Sequence, residues 1–302
     1  MSFEYDLISA MRQWDLHVNS LNLEPGKYHR FRSLGTCKTK CCEYRIFENQ
    51  LGAHFKCFRR GIDRFWFAGN ATRLTSEQRL QQAIERDRVT QSRLLAQAMV
   101  AERCNAFYEA LPPAPPVQHP YAVRKQIYPH GARLARGLCV LPVRDCKYRM
   151  QSLQFIRRNG FKQLKAGALA AGGMIWLGGN LAPDYSGVLR ICEGWSTGCT
   201  IYMLTRSPVL CALNAYNLPK VANLVRQCFI HAITKICADN DQWGDTNTGL
   251  EQAKAAQRLT GMTLYYPDFT GLPVGTKPTD FNDLYLIGGA ERARRQLNLI
   301  RE

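Results

Sequence analysis

From residue 187 onward the chain alternates short apolar runs with longer amphipathic segments, and no other feature limits its fold as much. The runs fall at 188–192, 209–213, 233–238 and 262–266, and helix-like segments at 196–205, 218–230 and 249–259 separate them. A strand–helix–strand repeat brings each strand back parallel to the last, because the crossover has to pass over a face of the sheet. The expectation is an α/β core whose parallel sheet is covered by helices on both faces. Acidic residues sit just past two of the runs: Glu193 after Cys192, and Asp239 and Asp241 in Cys237-Ala238-Asp239-Asn240-Asp241. Open α/β sheets bind their ligands outside the carboxyl ends of the strands. Carboxylates at that edge suit Mg²⁺ or Mn²⁺, cations that take oxygen ligands and leave room for water and phosphate. Asp280 and Asp283 form a further acidic group downstream, and Asp245 is close enough in chain to serve as an auxiliary ligand. Clustered carboxylates repel, so one of them is expected to hold a proton until a cation neutralises the group.

The chain has 302 residues, 46% of them hydrophobic, enough to bury a core of two or three domains. No apolar run approaches the roughly 20 residues that span a bilayer. The N-terminal stretch lacks the charged and apolar regions of a signal peptide, so a cytoplasmic location without a membrane partner is expected. Twelve cysteines are present, but Cys192, Cys211, Cys228 and Cys237 lie inside apolar runs, where a reduced thiol acts as a small hydrophobe. The formal charge is +16, and its placement is uneven. Residues 1–123 hold 17 basic and 12 acidic side chains, residues 166–302 hold 12 and 11, and residues 124–165 hold 11 and 1. Ten of the net charges therefore fall in one short segment, a local field of the kind that binds a polyanion such as nucleic acid.

The pattern divides the chain into four segments, three of them upstream of the repeat. Residues 1–74 read as a small mixed α/β domain, with a helix at 7–16, strand-like pieces at 28–31, 43–47 and 54–58, and Phe65-Trp66-Phe67 closing it. Residues 75–118 read as a connector. A capping box at Thr75 opens one long polar helix to about residue 110, and a proline-rich linker from Leu111 follows. Residues 119–186 are the basic segment, with strands at 138–143 and 150–156 and a glycine-rich, turn-like stretch at 167–179. Residues 187–302 are the α/β repeat.

The motifs Glu193-Gly-Trp-Ser-Thr-Gly, Asn214-Ala-Tyr-Asn217, Ala238-Asp-Asn-Asp, Asn247-Thr-Gly-Leu-Glu-Gln-Ala and Thr279-Asp-Phe-Asn-Asp resemble the TOPRIM domain of DNA primases from phages, plasmids and other mobile elements. Upstream, His119-Pro-Tyr-Ala-Val-Arg-Lys, Leu138-Cys-Val-Leu-Pro-Val-Arg-Asp, Ser152-Leu-Gln-Phe-Ile and Gly160-Phe-Lys look like the basic subdomain that precedes TOPRIM in those enzymes. The similarity covers roughly 119–300, and more loosely 1–70, where Tyr28-His-Arg-Phe echoes the family's small leading domain. By this resemblance Glu193, Asp239 and Asp241 form the catalytic metal-binding set, supported by Asp280 and Asp283. The resemblance also implies that Arg124, Lys125, Arg144, Arg157, Arg158, Lys162 and Lys165 hold a single-stranded DNA template and ribonucleotides, and that the product is a short RNA primer. Family members commonly carry Asp-Ala-Gly-Asn where this chain has Asn214-Ala215-Tyr216-Asn217, so a carboxylate and a glycine are missing there, and Tyr216 can narrow the pocket or stack on a base.

Cys37, Cys41, Cys42 and Cys57, with His29 and His54 nearby, raise the question of zinc, which many primases carry in a leading module. Structural zinc sites usually draw on two tight Cys pairs, and only one is present, so incidental thiols in a packed β domain are the favoured expectation. His119 reads as a helix cap or packing residue. No Walker A lysine pattern occurs, so a replicative helicase is expected to be a separate protein. The TOPRIM layout also serves nucleases, and a non-catalytic nucleic-acid-binding replication protein is the other alternative.

Overall fold

The computed structural model describes residues 2–37, 40–69, 76–113 and 115–297. Two compact units divide the chain, Met1–Leu95 and Ala96–Glu302. In the first, helix α1 (Phe3–Arg12) precedes an antiparallel sheet in the order β1 (Tyr28–Phe31), β2 (Cys42–Ile46), β3 (Gly52–Cys57) and β4 (Ile62–Phe67). The helix starts one turn earlier than the sequence pattern suggests. Ser2 caps it by accepting a hydrogen bond from the Tyr5 N–H, and the left-handed backbone at Asp15 (φ 56°) turns the chain soon after its end. Leu7, Ile8 and Met11 pack with Phe31, Tyr44 and Phe55 from one face of the sheet. The long helix α2 runs Ser76–Glu109, as its Gly- and Pro-free sequence suggests. The capping box read at Thr75 lies outside the described residues.

The second unit contains two sheets. One is antiparallel, β5 (Arg133–Ala135), β6 (Leu138–Arg144), β7 (Met150–Ile156) and β8 (Lys162–Leu164), and the short helix α3 (Pro120–Arg124) precedes it. The other has five strands in the order β13 (Thr263–Tyr265), β12 (Ile233–Cys237), β10 (Val188–Cys192), β11 (Val209–Cys211) and β9 (Ile175–Leu177). Four of these strands are parallel, and β9 joins the edge antiparallel to β11. Strand β9 corrects the reading of residues 167–179 as turns alone. Its three residues are all buried, but a run this short leaves no readable period.

Helices α4 (Trp195–Thr205), α5 (Leu218–Cys228) and α6 (Thr248–Thr260) connect the parallel strands. Apolar residues of α4 pack on one face of the sheet with Cys192, Cys211 and Cys237. Those of α5 and α6 pack on the other face with Leu189, Ile191 and Ile236. Period-two alternation along β10 thus feeds two cores. A further helix, α7 (Phe281–Gln296), covers the α4 face through Phe281, Leu284 and Ala293. The sequence reading contained no such helix, because Gly288 and Gly289 interrupt its pattern. At Gly289 (φ 79°) the backbone leaves helical geometry.

Strand β10 stands between β11 and β12. The connection leaving β10 crosses the α4 face, and that leaving β12 crosses the α5 and α6 face. The carboxyl ends of β10 and β12 therefore form the topological switch point of the sheet, the place where open α/β sheets bind their ligands. Among the described residues no helix is long and apolar enough to cross a membrane.

Candidate active site

Register brings the two acidic motifs together at this switch point. Cys192 pairs with Cys237, so Glu193 and the Asp239 segment leave adjacent strand ends. Burial and the nearby Asp241 charge push the Glu193 carboxyl up to about 7, against Lys162 and the Ala215 N–H, which both favour its ionised form. Asp239 is pushed well above the usual carboxylate range by burial, then by the charges of Glu193, Asp280 and Asp241. Its Oδ1 is buried with no hydrogen-bond partner. Asp241 is fixed from two sides, by the Gly249 N–H on its Oδ2 (3.1 Å) and by its own N–H on Asn247 Oδ1 (2.8 Å). A Cβ at Gly249 would lie 2.8 Å from the Asp239 carbonyl oxygen, so this close approach requires glycine.

Asp280 caps α7, accepting from the Asp283 N–H (2.8 Å) and from Thr197 Oγ1 (2.9 Å). Burial, then the Asp283 charge, raises its pKa. Both oxygens of Asp283 are engaged, Oδ1 by Lys125 Nζ and Oδ2 by the Thr279 N–H, each at 3.0 Å. Asp245 is exposed in the loop before α6. The structure therefore gathers Glu193, Asp239, Asp241 and Asp280 into one electrostatic group, with Asp283 turned toward Lys125. The donors are hard oxygens and the Asp239 oxygen is unpartnered, a chemistry that suits Mg²⁺ or Mn²⁺, although no three of these carboxylates stand within 4.8 Å of one another, so an ion would have to draw them together.

A cation of the protein's own stands among these acids. Desolvation alone would lower the Lys162 pKa, but the Tyr121 phenol, Asp280, Asp239 and Glu193 outweigh it and raise it. Much of the residue, on β8, is exposed, but its ammonium group is desolvated beside the loop that follows Glu193, 3.5 Å from where a Cβ on Gly194 would lie. The turn before β8 packs on α3: Arg124 NH1 donates to the Arg158 carbonyl (3.4 Å), and a Cβ at Gly160 would come within 3.1 Å of the Tyr121 ring. This packing collects Arg124, Arg157, Arg158 and Lys162 beside Phe161, which is exposed and carries the Arg157 guanidinium over its ring at 5.1 Å. Arg144 does not join them. Its NH1 donates to the Tyr148 carbonyl and its NH2 lies 3.8 Å from Glu109 at the end of α2. Lys165 follows β8 on the side of Cys104 in α2. Lys125 is held by Asp283.

The substituted turn after β11 has a structural role. Leu213 takes a left-handed backbone (φ 74°), unfavourable for a branched side chain, and this elbow aims the Ala215 N–H at Glu193. Asn217 locks the elbow. Its Oδ1 accepts from the Gly172 N–H (2.8 Å), and its Nδ2 donates to the Gly173 (2.9 Å) and Ala212 (2.8 Å) carbonyls. The glycine-rich stretch is thereby fastened to the turn that orients the glutamate. His119 caps α3, as expected.

In the first unit the four thiols, expected to be incidental, come together in space. Cys37, Cys41, Cys42 and Cys57 place their sulfurs within 4.8 Å of one another, the only such set of metal-ligating groups among the described residues. The β2–β3 register puts Cys42 opposite Cys57, and the loop before β2 supplies the other two. Cross-strand pairing replaces the second tight pair that sequence spacing lacked. A tetrahedron with metal–sulfur bonds near 2.3 Å has sulfur–sulfur edges of about 3.8 Å. Cys41 lies 3.8 Å from Cys42 and 3.9 Å from Cys57. A bond from Cys42 pulls the Cys57 thiol down to about 5, and burial pushes Cys41 up to about 12. The set can hold a metal ion. His54 is engaged elsewhere, by the Tyr28 hydroxyl (2.9 Å) and Asp63 (2.5 Å), and His29 faces the Glu24 carbonyl (3.3 Å).

No protein-family model matches the chain. In fold it is similar to DNA primases of known structure. The Aquifex aeolicus primase, comprising zinc-binding and RNA polymerase domains, is 16% identical, with 99% of this chain and 85% of that one covered and a TM-score of 0.44. A DnaG primase catalytic domain bound to single-stranded DNA is 13% identical over 69% of this chain and 80% of its own, with a TM-score of 0.46. The primase fragment of the bacteriophage T7 primase-helicase is 13% identical over 59% and 69%, at 0.41. Likeness at this level assigns no residue a role.

Proposed function

We propose that this chain is a DNA primase of the TOPRIM type, joining ribonucleotides into short RNA primers on a single-stranded DNA template. One observation supports the reading: Glu193 and the Asp239–Asp241 segment leave adjacent strand ends at the switch point of the parallel sheet, with an unpartnered Asp239 oxygen and with Lys162 of the basic sheet among their charges. Residues 119–186 hold template and nucleotide in this reading, and residues 187–302 carry the chemistry.

Asp239, Asp241 and Glu193 would hold Mg²⁺ or Mn²⁺, with Asp280 behind them, and the bound cation supplies charge neutralisation and a lowered pKa at the attacking 3′-hydroxyl. The alternative role for Glu193, left off the cation, is general base for that proton. Lys162 offers the developing pyrophosphate a positive charge beside the carboxylates. Arg124, Arg157 and Arg158 grip the template backbone, and the exposed Phe161 ring is a stacking surface for a base. Asp283 keeps Lys125 in place on α3. Zinc is the ion that best suits the four thiols of the first unit.

The test is incubation with circular single-stranded DNA, labelled ribonucleotides and Mg²⁺ or Mn²⁺, with Asp239→Ala in parallel. Short labelled RNA from the unmodified protein alone supports the proposal. Degradation of the DNA without synthesis turns the reading to a nuclease, and full synthesis by Asp239→Ala removes the metal-site assignment.

A further inference from the structure

The loop that carries Asp239 and Asp241 is held by a pair of side-chain amides. Asn247 Oδ1 accepts the Asp241 N–H at 2.8 Å and, as the N-cap of α6, the Leu250 N–H at 3.3 Å. Its Nδ2 donates to Asn240 Oδ1 at 2.7 Å. Asn240 is buried, and it passes the linkage on. Its Nδ2 donates to the Pro267 carbonyl (3.0 Å), and its backbone N–H donates to the Thr279 carbonyl (2.7 Å). Thr279 directly precedes Asp280. Two asparagines thus join three segments by direct hydrogen bonds: the Asp239–Asp241 loop, the start of α6, and the strand-to-helix segment that delivers Asp280.

The chemistry of the pair is specific to amides. Each asparagine uses its oxygen as acceptor and its nitrogen as donor at the same time. A serine or threonine at 247 would still cap α6, since these residues are good N-caps, but neither can reach both Asp241 and Asn240. Capping and clamping are therefore separable by substitution.

We propose that Asn247, acting through Asn240, is a positioning residue that sets the Asp241 carboxylate and the Asp280 segment for a single divalent cation. This rests on the active-site reading given above. The clamp fixes the distance between acids that would otherwise repel, before any cation arrives.

The experiment is direct titration of the full chain with Mn²⁺ alone, free ion being followed by electron paramagnetic resonance, with no DNA or nucleotide present. The unmodified protein, Asn247→Ser, Asn240→Ala, the double variant and Asp239→Ala are compared, and thermal melting confirms that each is folded. Asn247→Ser is expected to melt close to the unmodified protein yet bind Mn²⁺ roughly 10- to 100-fold more weakly, the range seen when a group that orients a metal ligand is lost. Asn240→Ala should match it, and the double variant should be no weaker than either single one, because the two residues act as a unit. Unchanged Mn²⁺ affinity in a folded Asn247→Ser overturns the clamp and leaves the active-site reading intact. If the unmodified protein shows no Mn²⁺ binding that Asp239→Ala removes, the site reading falls and the clamp with it. A strongly lowered melting temperature with unchanged affinity reduces Asn247 to a helix cap.

Discussion

Glu193 shows how a single side chain ties stability to chemistry. Its carboxyl group is pushed by burial, and then by the Asp241 charge, from the usual 4.5 to about 7. Between those values the folded chain keeps a proton that the unfolded chain has released, so folding stability falls as pH rises through that window and stays low above it. The loss is on the order of 3 kcal/mol. In a chelating buffer, the stability advantage of the unmodified protein over Glu193→Gln should therefore shrink from about pH 5 to about pH 8. A difference that stays flat with pH would show that the environment of Glu193 has been misread. The residue itself was visible in the sequence, since a glutamate follows an apolar run. Its raised pKa was not, because that depends on Asp241, Lys162 and the Ala215 N–H arriving from other elements.

Among the elements, the β2–β3 hairpin behaves as a folding device as much as a scaffold. Its cross-strand Cys42 and Cys57, with Cys37 and Cys41 from the preceding loop, bring four thiols into one tetrahedral space. Metal bound there stabilises the folded unit directly, because no such site exists in the unfolded chain. The purified protein is expected to carry close to one equivalent of zinc by atomic absorption. Cys57→Ser should lose that zinc and melt well below the unmodified protein. A zinc-free protein with undiminished stability would return these thiols to ordinary packing. Elements announced by a strong period, such as β10, β12, α5 and α6, were legible from sequence alone. Those that depend on tertiary partners were not: β9 is three residues borrowed by the edge of a sheet, and α7 contains two glycines, at the second of which the backbone leaves helical geometry. The thiol set escaped for a related reason, since strand register is not written in sequence spacing.

Over the whole molecule, the positive charge and the carboxylates are unevenly placed. The net excess of ten positive charges in residues 124–165 collects partly at the turn that presents Arg157, Arg158 and Phe161. Affinity for single-stranded DNA should therefore fall steeply with salt. Replacing Arg157 and Arg158 together with alanine should weaken binding and flatten the log–log salt slope by about 1.4, the release of roughly two counterions. An unaltered slope would move the template path elsewhere.

The basic sheet and the parallel sheet of the second unit share a single apolar cluster. Tyr121, Leu141 and Ile156 pack in it with Cys192, Trp195 and Phe281, and the Tyr121 hydroxyl donates to Ser196 at 3.0 Å. A backbone bridge between Arg144 and Met174 joins the same halves. A hinge between them would have to break this continuous core, so the two halves are expected to melt as one, with Lys162 and Glu193 brought together as the chain folds. In the proposed reading the site is a fixed gauge, one to which strand and nucleotide would have to conform.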